Sequence, residues 1–594
     1  MNRRYKKTQK SFLRRQKQVK TISHNATETI DRMLLGRFGR LTLVKRFVIS
    51  WLVFWLLLVL ITSVQLINLS GYYQTLEPVP GGIYSEGMLG TMSNVNPIYA
   101  TSPVDTSLAH LIFAGLFRYN SQNQLVGCLA SGYSVNKAGT TYLVNLKPGL
   151  TWQDGKPLTA ADVVFTFKTI QNPNAQSPLF SSWQNIKVAE VNSLSVSFSL
   201  PNPLASFPYS LTLGIIPQHI LGRLPSQDLR SAGFNTYNPV GAGPFYWHAI
   251  QVNGNTPENA SEQIALLPFR HYVLGQPKLG EFIFNAYANK TQLINAFSAD
   301  QLTALAGLNS VPAALSSDHQ SLMVQSRLLT AGDYVFFRTQ APILSDKAVR
   351  QALVLAANPA AIIAKLGYPT LPVKEPLLIG QLAFNPKYAQ VTDQPDRAVK
   401  LLAADGWKKG SGGWLVKNNT RLQFNLVASN TPENRLVGSM LKAQWRAIGV
   451  DLVTIYETPS TYTTTLQDHN YDSTLNGISI GIDPDVFVYW DGSQYDPRSS
   501  GLNFSEYNST VASQALEAGR TRLNPALRII KYQPFLAAWQ SDAPALGLFQ
   551  PRFLYISRQH IYGMGSQVIN SPSDRFDNVQ NWEVLTANVT DPRP

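Results

Sequence analysis

The sequence of 594 residues contains one cysteine, Cys128. A secreted scaffold held together by disulfides is therefore excluded. The stretch LVGC ending at Cys128 resembles the lipid-attachment box of lipoproteins, but no apolar leader stands just before it. Cys128 reads instead as a small buried apolar residue. Charge is also scarce: 14% of residues are Asp, Glu, Lys or Arg, against roughly 25% in a typical soluble domain. Metal-ligand spacing is missing as well. The eight histidines (His24, His110, His219, His248, His271, His319, His469 and His560) form no H-x-x-x-H or HExxH pattern. Neither a metal nor a cofactor is expected, and no repeat period is present.

What is there begins with an uneven charge. The formal net charge is +14, which suggests a nucleic-acid binder until it is located. Residues 1–46 hold 14 of the 50 basic residues and 2 of the 36 acidic ones, so this tail carries +12 and the rest of the chain only +2. A body so nearly neutral is not built to grip phosphates, and no nucleic-acid partner is expected. The tail reads as a juxtamembrane segment held near anionic lipid.

Residues 47–69 read FVISWLVFWLLLVLITSVQLINL, without one formal charge. At about 1.5 Å per residue they reach roughly 35 Å, enough for a bilayer core of about 30 Å. A signal-peptide core is shorter, about 7–15 residues, and ends at small residues; here LSGYY follows. The reading is a retained transmembrane anchor with a cytoplasmic N-terminus, because the basic flank is N-terminal. Residues 70–80 are a short linker, and the body lies outside the cell or in the periplasm.

A chain of this length exceeds one hydrophobic core, so at least two lobes are expected. TYLVNL (141–146) alternates like a strand, and KPGL followed by TW reads as a hairpin. Thr159 and Asp162 read as the cap and first turn of a helix through VVFTFKTI. SLSVSFSL (193–200), YVFFRT (334–339), LQFNLVAS (422–429) and residues 450–457 read as strands. Residues 345–357, 396–405 and 434–448 read as helices. This alternation predicts an α/β fold with a mostly parallel, helix-covered sheet.

Residues 149–164, GLTWQDGKPLTAADVV, resemble the hallmark block of the family 5 extracellular solute-binding proteins, the peptide- and nickel-type binding components of ABC importers. Gln153 stands where that block usually has His. Five further blocks follow in the family's order: residues 94–116, 241–245 (GAGPF), 334–353, 396–407 (DRAVKLLAADGW) and 477–503. The resemblance implies a bilobal clamp of the periplasmic-binding-protein kind with an extra inserted domain. Carried over, lobe I comprises residues 81–118, 239–332 and 547–590. The inserted domain spans 119–238, and lobe II spans 333–546. The implied partners are an oligopeptide or another small polar solute and the permease and ATPase subunits of an importer.

The site residues implied are Asn94 and Asn96 from the first block, Tyr334 and Arg338, and the loop with Ser479, Gly481, Asp483 and Asp485; Trp183 and Trp490 are further cleft candidates. An arginine at 338, where the family usually has Asn, suits an anionic ligand group. The same loop, GISIGIDPD, fits the G-x-S-x-G pattern of serine hydrolases at Ser479, with His560 downstream. Three fixed positions at about 7% each arise by chance on the order of once in five such chains. A tethered hydrolase is the rival reading, and a binding-protein fold reused as a sensor or chaperone is a third. Peptide-binding members carry an Asp four residues before the loop proline, where it pairs with the peptide amine. Here that position is Ile480. Asp483, Asp485 and Glu506 are the acids that stand near enough in sequence to replace it.

Overall fold

The computed structural model describes residues 45–308, 310–316, 322–368, 370–496 and 501–590. The chain divides into two units, residues 1–77 with 586–594, and residues 78–585. The basic tail through residue 44 lies outside the described residues. In the first unit the helix Lys45–Tyr73 contains the apolar run expected as the anchor. Its stretch Lys45–Asn68, 24 residues, contains an 18-residue window of mean hydropathy 2.6, none of which is buried inside protein. That length corresponds to about 36 Å. Strand Gln74–Val79 then pairs with Leu585–Thr590 in a two-stranded sheet.

The second unit is α/β and is organised by three sheets. A seven-stranded sheet has the order Met323–Leu328, Arg552–Ser557, Ala304–Leu308, Ile83–Leu89, Glu281–Tyr287, Ser261–Pro268 and Phe245–Asn253. Ile83–Leu89 runs parallel to both of its neighbours. A five-stranded sheet has the order Asp451–Glu457, Gln423–Ser429, Ser473–Ser479, Ala331–Phe337 and Ala545–Phe549. The third sheet, of four antiparallel strands, lies within residues 130–199.

Alternation along Ala331–Phe337 explains why the five-stranded sheet is covered on both faces. Val335 and Phe337 enter one core with Leu353 and Trp445, while Tyr334 and Phe336 enter another with Trp490 and Trp539. Helix Pro432–Ala447 packs its Val437, Leu441 and Trp445 stripe on the first of these faces. Thr159 and Asp162 form the expected capping box of Ala160–Ile170. Two readings differ. The large sheets are mixed and not mostly parallel: Ile83–Leu89 and Gln423–Ser429 run parallel to their neighbours, and the other pairings are antiparallel. The expected hairpin is the second. Thr141–Leu146 pairs with Ala130–Val135 and Ser195–Ser199, not with the segment after KPGL. That segment only turns back on itself, through a bridge from Thr151 to Pro157. Alternation marks a strand but does not choose its partner, and here distant Ser195–Ser199 supplies the apolar face.

The chain passes between the large sheets twice, at Leu329–Thr330 and at Gln550–Pro551. The crossings are stitched together: Leu329 N donates to Pro551 O at 2.9 Å, and Gln550 Nε2 to Leu329 O at 3.3 Å. Thr330 N donates to Ile569 O at 2.8 Å.

Two carboxyls around the five-stranded sheet are held far from their ordinary acidity. Burial, helped by the charge of Glu433, pushes Asp333 up to about 7. Burial pushes Glu375 up to about 8, against a hydrogen bond from Asn385 N. An acid with a raised native pKa binds more protons folded than unfolded, so it favours the native state below its unfolded pKa. That contribution is lost as pH rises, here between about 4 and about 8. Asp333→Asn with Glu375→Gln is expected to gain stability relative to the parent as pH rises from 5 to 8. Denaturant midpoints at several pH values check this; a constant difference would refute it.

Candidate ligand cleft

Residues 479–485 leave the end of strand Ser473–Ser479 and turn across the edge of the five-stranded sheet. Ile480 N and Gly481 N both donate to Thr330 O, at 2.8 and 3.0 Å, which ties the loop to one of the crossings. Gly481 has φ +82°, a conformation that favours glycine. Asp483 is gripped from both sides by Arg528, with Nη1 to Oδ2 at 2.6 Å and Nη2 to Oδ1 at 2.7 Å. Asp485 Oδ2 accepts from Arg520 Nη2 at 3.0 Å and from Ser206 Oγ at 2.9 Å. Ala205 N also donates to Arg520 O at 2.8 Å. The loop is thus fastened to the segment that carries the four-stranded sheet.

A cavity of about 520 Å³ lies between helix Pro103–Ile112, the four-stranded-sheet segment and residues 573–577. Its volume falls within the roughly 300–1,000 Å³ of small-molecule sites. Phe113, Phe117, Trp183, Tyr272 and Phe576 supply aromatic surface. Its polar groups include His110, whose Nε2 lies 3.0 Å from Asp577 Oδ1. Burial alone would lower the His110 pKa, but the hydrogen bond and charge of Asp577 raise it overall. Burial raises that of Asp577, with His110 acting against it. The thiol of Cys128, also in the wall, is pushed up to about 11 by burial, so it is a packed apolar group and not a nucleophile.

Tyr119 links the cavity to the crossings. It hydrogen-bonds Asn570, and Asn570 Oδ1 accepts from Thr330 Oγ1 at 2.6 Å. The Tyr119 ring stacks on Tyr209 at 6.2 Å. The Tyr209 pKa is raised by burial, and both Asp483 and Arg528 act on it.

Of the residues expected from sequence, Trp183 lines this cavity. Ser479, Gly481, Asp483 and Asp485 come together in the loop, and Ser479 O accepts from Tyr489 Oη at 2.7 Å. Asn94 and Asn96 lie in the turn before helix Pro103–Ile112: Asn94 Nδ2 donates to Arg230 O, and Asn96 Nδ2 to Asn235 Oδ1. Tyr334 and Trp490 are fully buried in one core, with ring centroids 5.9 Å apart. Arg338 Nε donates to Tyr471 O at 2.6 Å, and its Nη1 lies 3.9 Å from Glu506. Sequence reasoning passed over Arg118, His110 and Asp577. Arg118 had one visible signal, a lone charge inside FAGLFRYN; Asp577 had none, since only folding brings it to the cavity.

Ile480 is buried, and each acid proposed to replace a missing amine partner is already engaged. Asp483 holds Arg528, and Asp485 holds Arg520. Glu506 Oε1 lies 3.1 Å from His469 Nδ1. Among the described residues no histidine hydrogen-bonds Ser479.

The architecture is that of a bilobal α/β solute-binding protein. Residues 124–499 match the bacterial extracellular solute-binding proteins, family 5 Middle, and the chain belongs to that family. It is 23% identical over 529 residues to the oligopeptide-binding protein AppA of Bacillus subtilis, covering 85% of this chain and 92% of that protein. The structure of NikZ from Campylobacter jejuni in complex with Ni(L-His) is similar with a TM-score of 0.70 at 23% identity, over 86% of this chain and 100% of that one. The structure of Bacillus subtilis AppA in complex with a nonapeptide is similar with a TM-score of 0.67 at 21% identity, over the same shares.

Proposed function

We propose that the chain is the membrane-anchored binding component of an ABC importer, which captures a small polar solute, with oligopeptides among the candidates, by closure of two lobes about the paired crossings. The crossings move the expected boundaries by a few residues: lobe I is then 81–118, 239–330 and 550–590, lobe II is 331–549, and 119–238 is the inserted domain. The observation that carries this reading is the pair of crossings between the two large sheets, with the loop of residues 479–485 tied to Thr330 O at one crossing and to Ser206 of the inserted segment. No covalent step is needed: solute favours the closed form only as far as it binds that form better. The loaded form is then read by a permease driven by cytoplasmic ATPases.

The helix Lys45–Tyr73 holds the body at the outer face of the membrane, with the basic tail inside. Two measurements test the reading. Full-length chain extracted from membranes in mild detergent should release a small solute on denaturation, detectable by mass spectrometry, and protease added to intact cells should leave a short basic membrane fragment. Absence of any solute defeats the capture reading; a body protected from protease defeats the topology.

A further inference from the structure

We propose that the buried guanidinium of Arg327 holds a small inorganic monoanion, chloride in the first place, at the root of the first crossing. Arg327 belongs to strand Met323–Leu328, which runs directly into Leu329–Thr330. It is 3% exposed. Its Nη2 donates to Gly565 O. Nε and Nη1 are buried without a hydrogen-bond partner, and no carboxylate pairs with Arg327 among the described residues. Buried arginines are almost always paired, because a charge taken out of water without a counter-ion costs far more than an unmade neutral hydrogen bond.

The acids that act on it are already held. Glu86 Oε1 accepts from Arg575 Nε at 3.2 Å, and its Oε2 from the hydroxyls of Tyr84 and Tyr555. Asp577 Oδ1 lies 3.0 Å from His110 Nε2. Burial pushes the Arg327 pKa down to about 10, and the like charge of Arg575 adds to the shift, while Glu86 and Asp577 act against it. The guanidinium is therefore still charged at neutral pH. Two arginines and one glutamate leave a buried surplus of one positive charge. A water molecule satisfies N–H groups but does not cancel that charge. The surplus matches a monoanion, and Glu86 and Asp577 repel a dianion such as sulfate more strongly. With Arg327 almost fully enclosed, the ion is inorganic, since an organic acid needs an opening for its body. Gly565 leads on to Ile569, whose O accepts from Thr330 N at 2.8 Å, so the anion braces both chains that meet at the crossing.

The test unfolds full-length chain in mild detergent with urea, which adds no ions, while sodium chloride replaces sodium gluconate at fixed ionic strength. Screening then stays constant and only specific binding moves the midpoint. Where chloride exceeds its Kd, each tenfold rise should raise the folding constant of the body about tenfold. Bromide should replace chloride, and sulfate should not. Arg327→Met should abolish the chloride dependence and be at least as stable as the parent in gluconate, because the unpaired charge is removed with the side chain. Crystals grown in bromide should show an anomalous peak within hydrogen-bonding reach of Arg327 Nε or Nη1. A midpoint that ignores chloride, a chloride dependence that persists in Arg327→Met, or bromide found only elsewhere overturns the proposal. If Arg327→Met does not fold, the chloride series and the bromide peak in the unmodified chain still decide it.

Discussion

Replacing Arg575 by methionine should destabilise the body by about 3–5 kcal/mol, the cost of stranding a buried charge. Glu86 and Arg575 are both fully buried. Arg575 Nε donates to Glu86 Oε1 at 3.2 Å, and the hydroxyls of Tyr84 and Tyr555 donate to Oε2 at 3.0 and 2.9 Å. Arg575 Nη1 also reaches Ser107 Oγ at 3.1 Å. The pair therefore joins a central strand, helix Pro103–Ile112 and the C-terminal segment. Burial already raises the Glu86 pKa, against the charge and hydrogen bond of Arg575. Without Arg575, burial acts with less opposition, so the carboxyl protonates more readily. The loss should therefore be larger at pH 8 than at pH 5. Glu86→Gln in the Arg575→Met background should recover much of it, because the stranded charge is gone while the tyrosine partners remain. Denaturant unfolding of the four species gives the coupling; a single-variant loss under about 1 kcal/mol would show that the charge finds water or another cation.

Such a pair also shows what a sequence exposes and what it hides. The strand at YVFFRT, which starts three residues earlier in the structure, and the cap at Thr159 and Asp162 were legible because each depends on neighbours a few residues away. So was the family, because its blocks are local and ordered. The partner of Thr141–Leu146 was not legible, since any amphipathic strand would fit the same period. The candidate site divides in the same way. The loop of Ser479, Gly481, Asp483 and Asp485 was visible as a motif, but that Arg528 and Arg520 already hold its acids depends on two helices further along the chain. Trp490 read as a cleft aromatic because tryptophan type carries no sign of facing; its ring instead packs against Trp539 at 5.5 Å. His110, Arg118 and Asp577 meet only through long-range packing, so no window of sequence shows them together.

The largest functional effect is expected in the distance between lobes. Spin labels at Ser121 and Asn418, both exposed and on opposite sides of the crossings, should come closer when the solute is added. Labels at Asn418 and Asn508, both within residues 333–546, should keep their distance. The one native cysteine does not interfere, because Cys128 is buried and its thiol pKa is raised. The Ser206–Asp485 hydrogen bond and the Ala205–Arg520 contact join the inserted segment to the lobe II loop, so they exist only when these surfaces meet. Ser206→Ala removes one hydrogen bond worth about 1 kcal/mol, which raises the ratio of open to closed molecules roughly fivefold. Where the open form predominates without solute, apparent affinity falls by a similar factor, while the distance at saturation stays the same. A preformed pocket gives the opposite pattern: binding measured by calorimetry with both label pairs fixed, and no change in affinity from Ser206→Ala. That result would replace closure with a rigid site, because a solute cannot shift a population between two forms that it binds equally well.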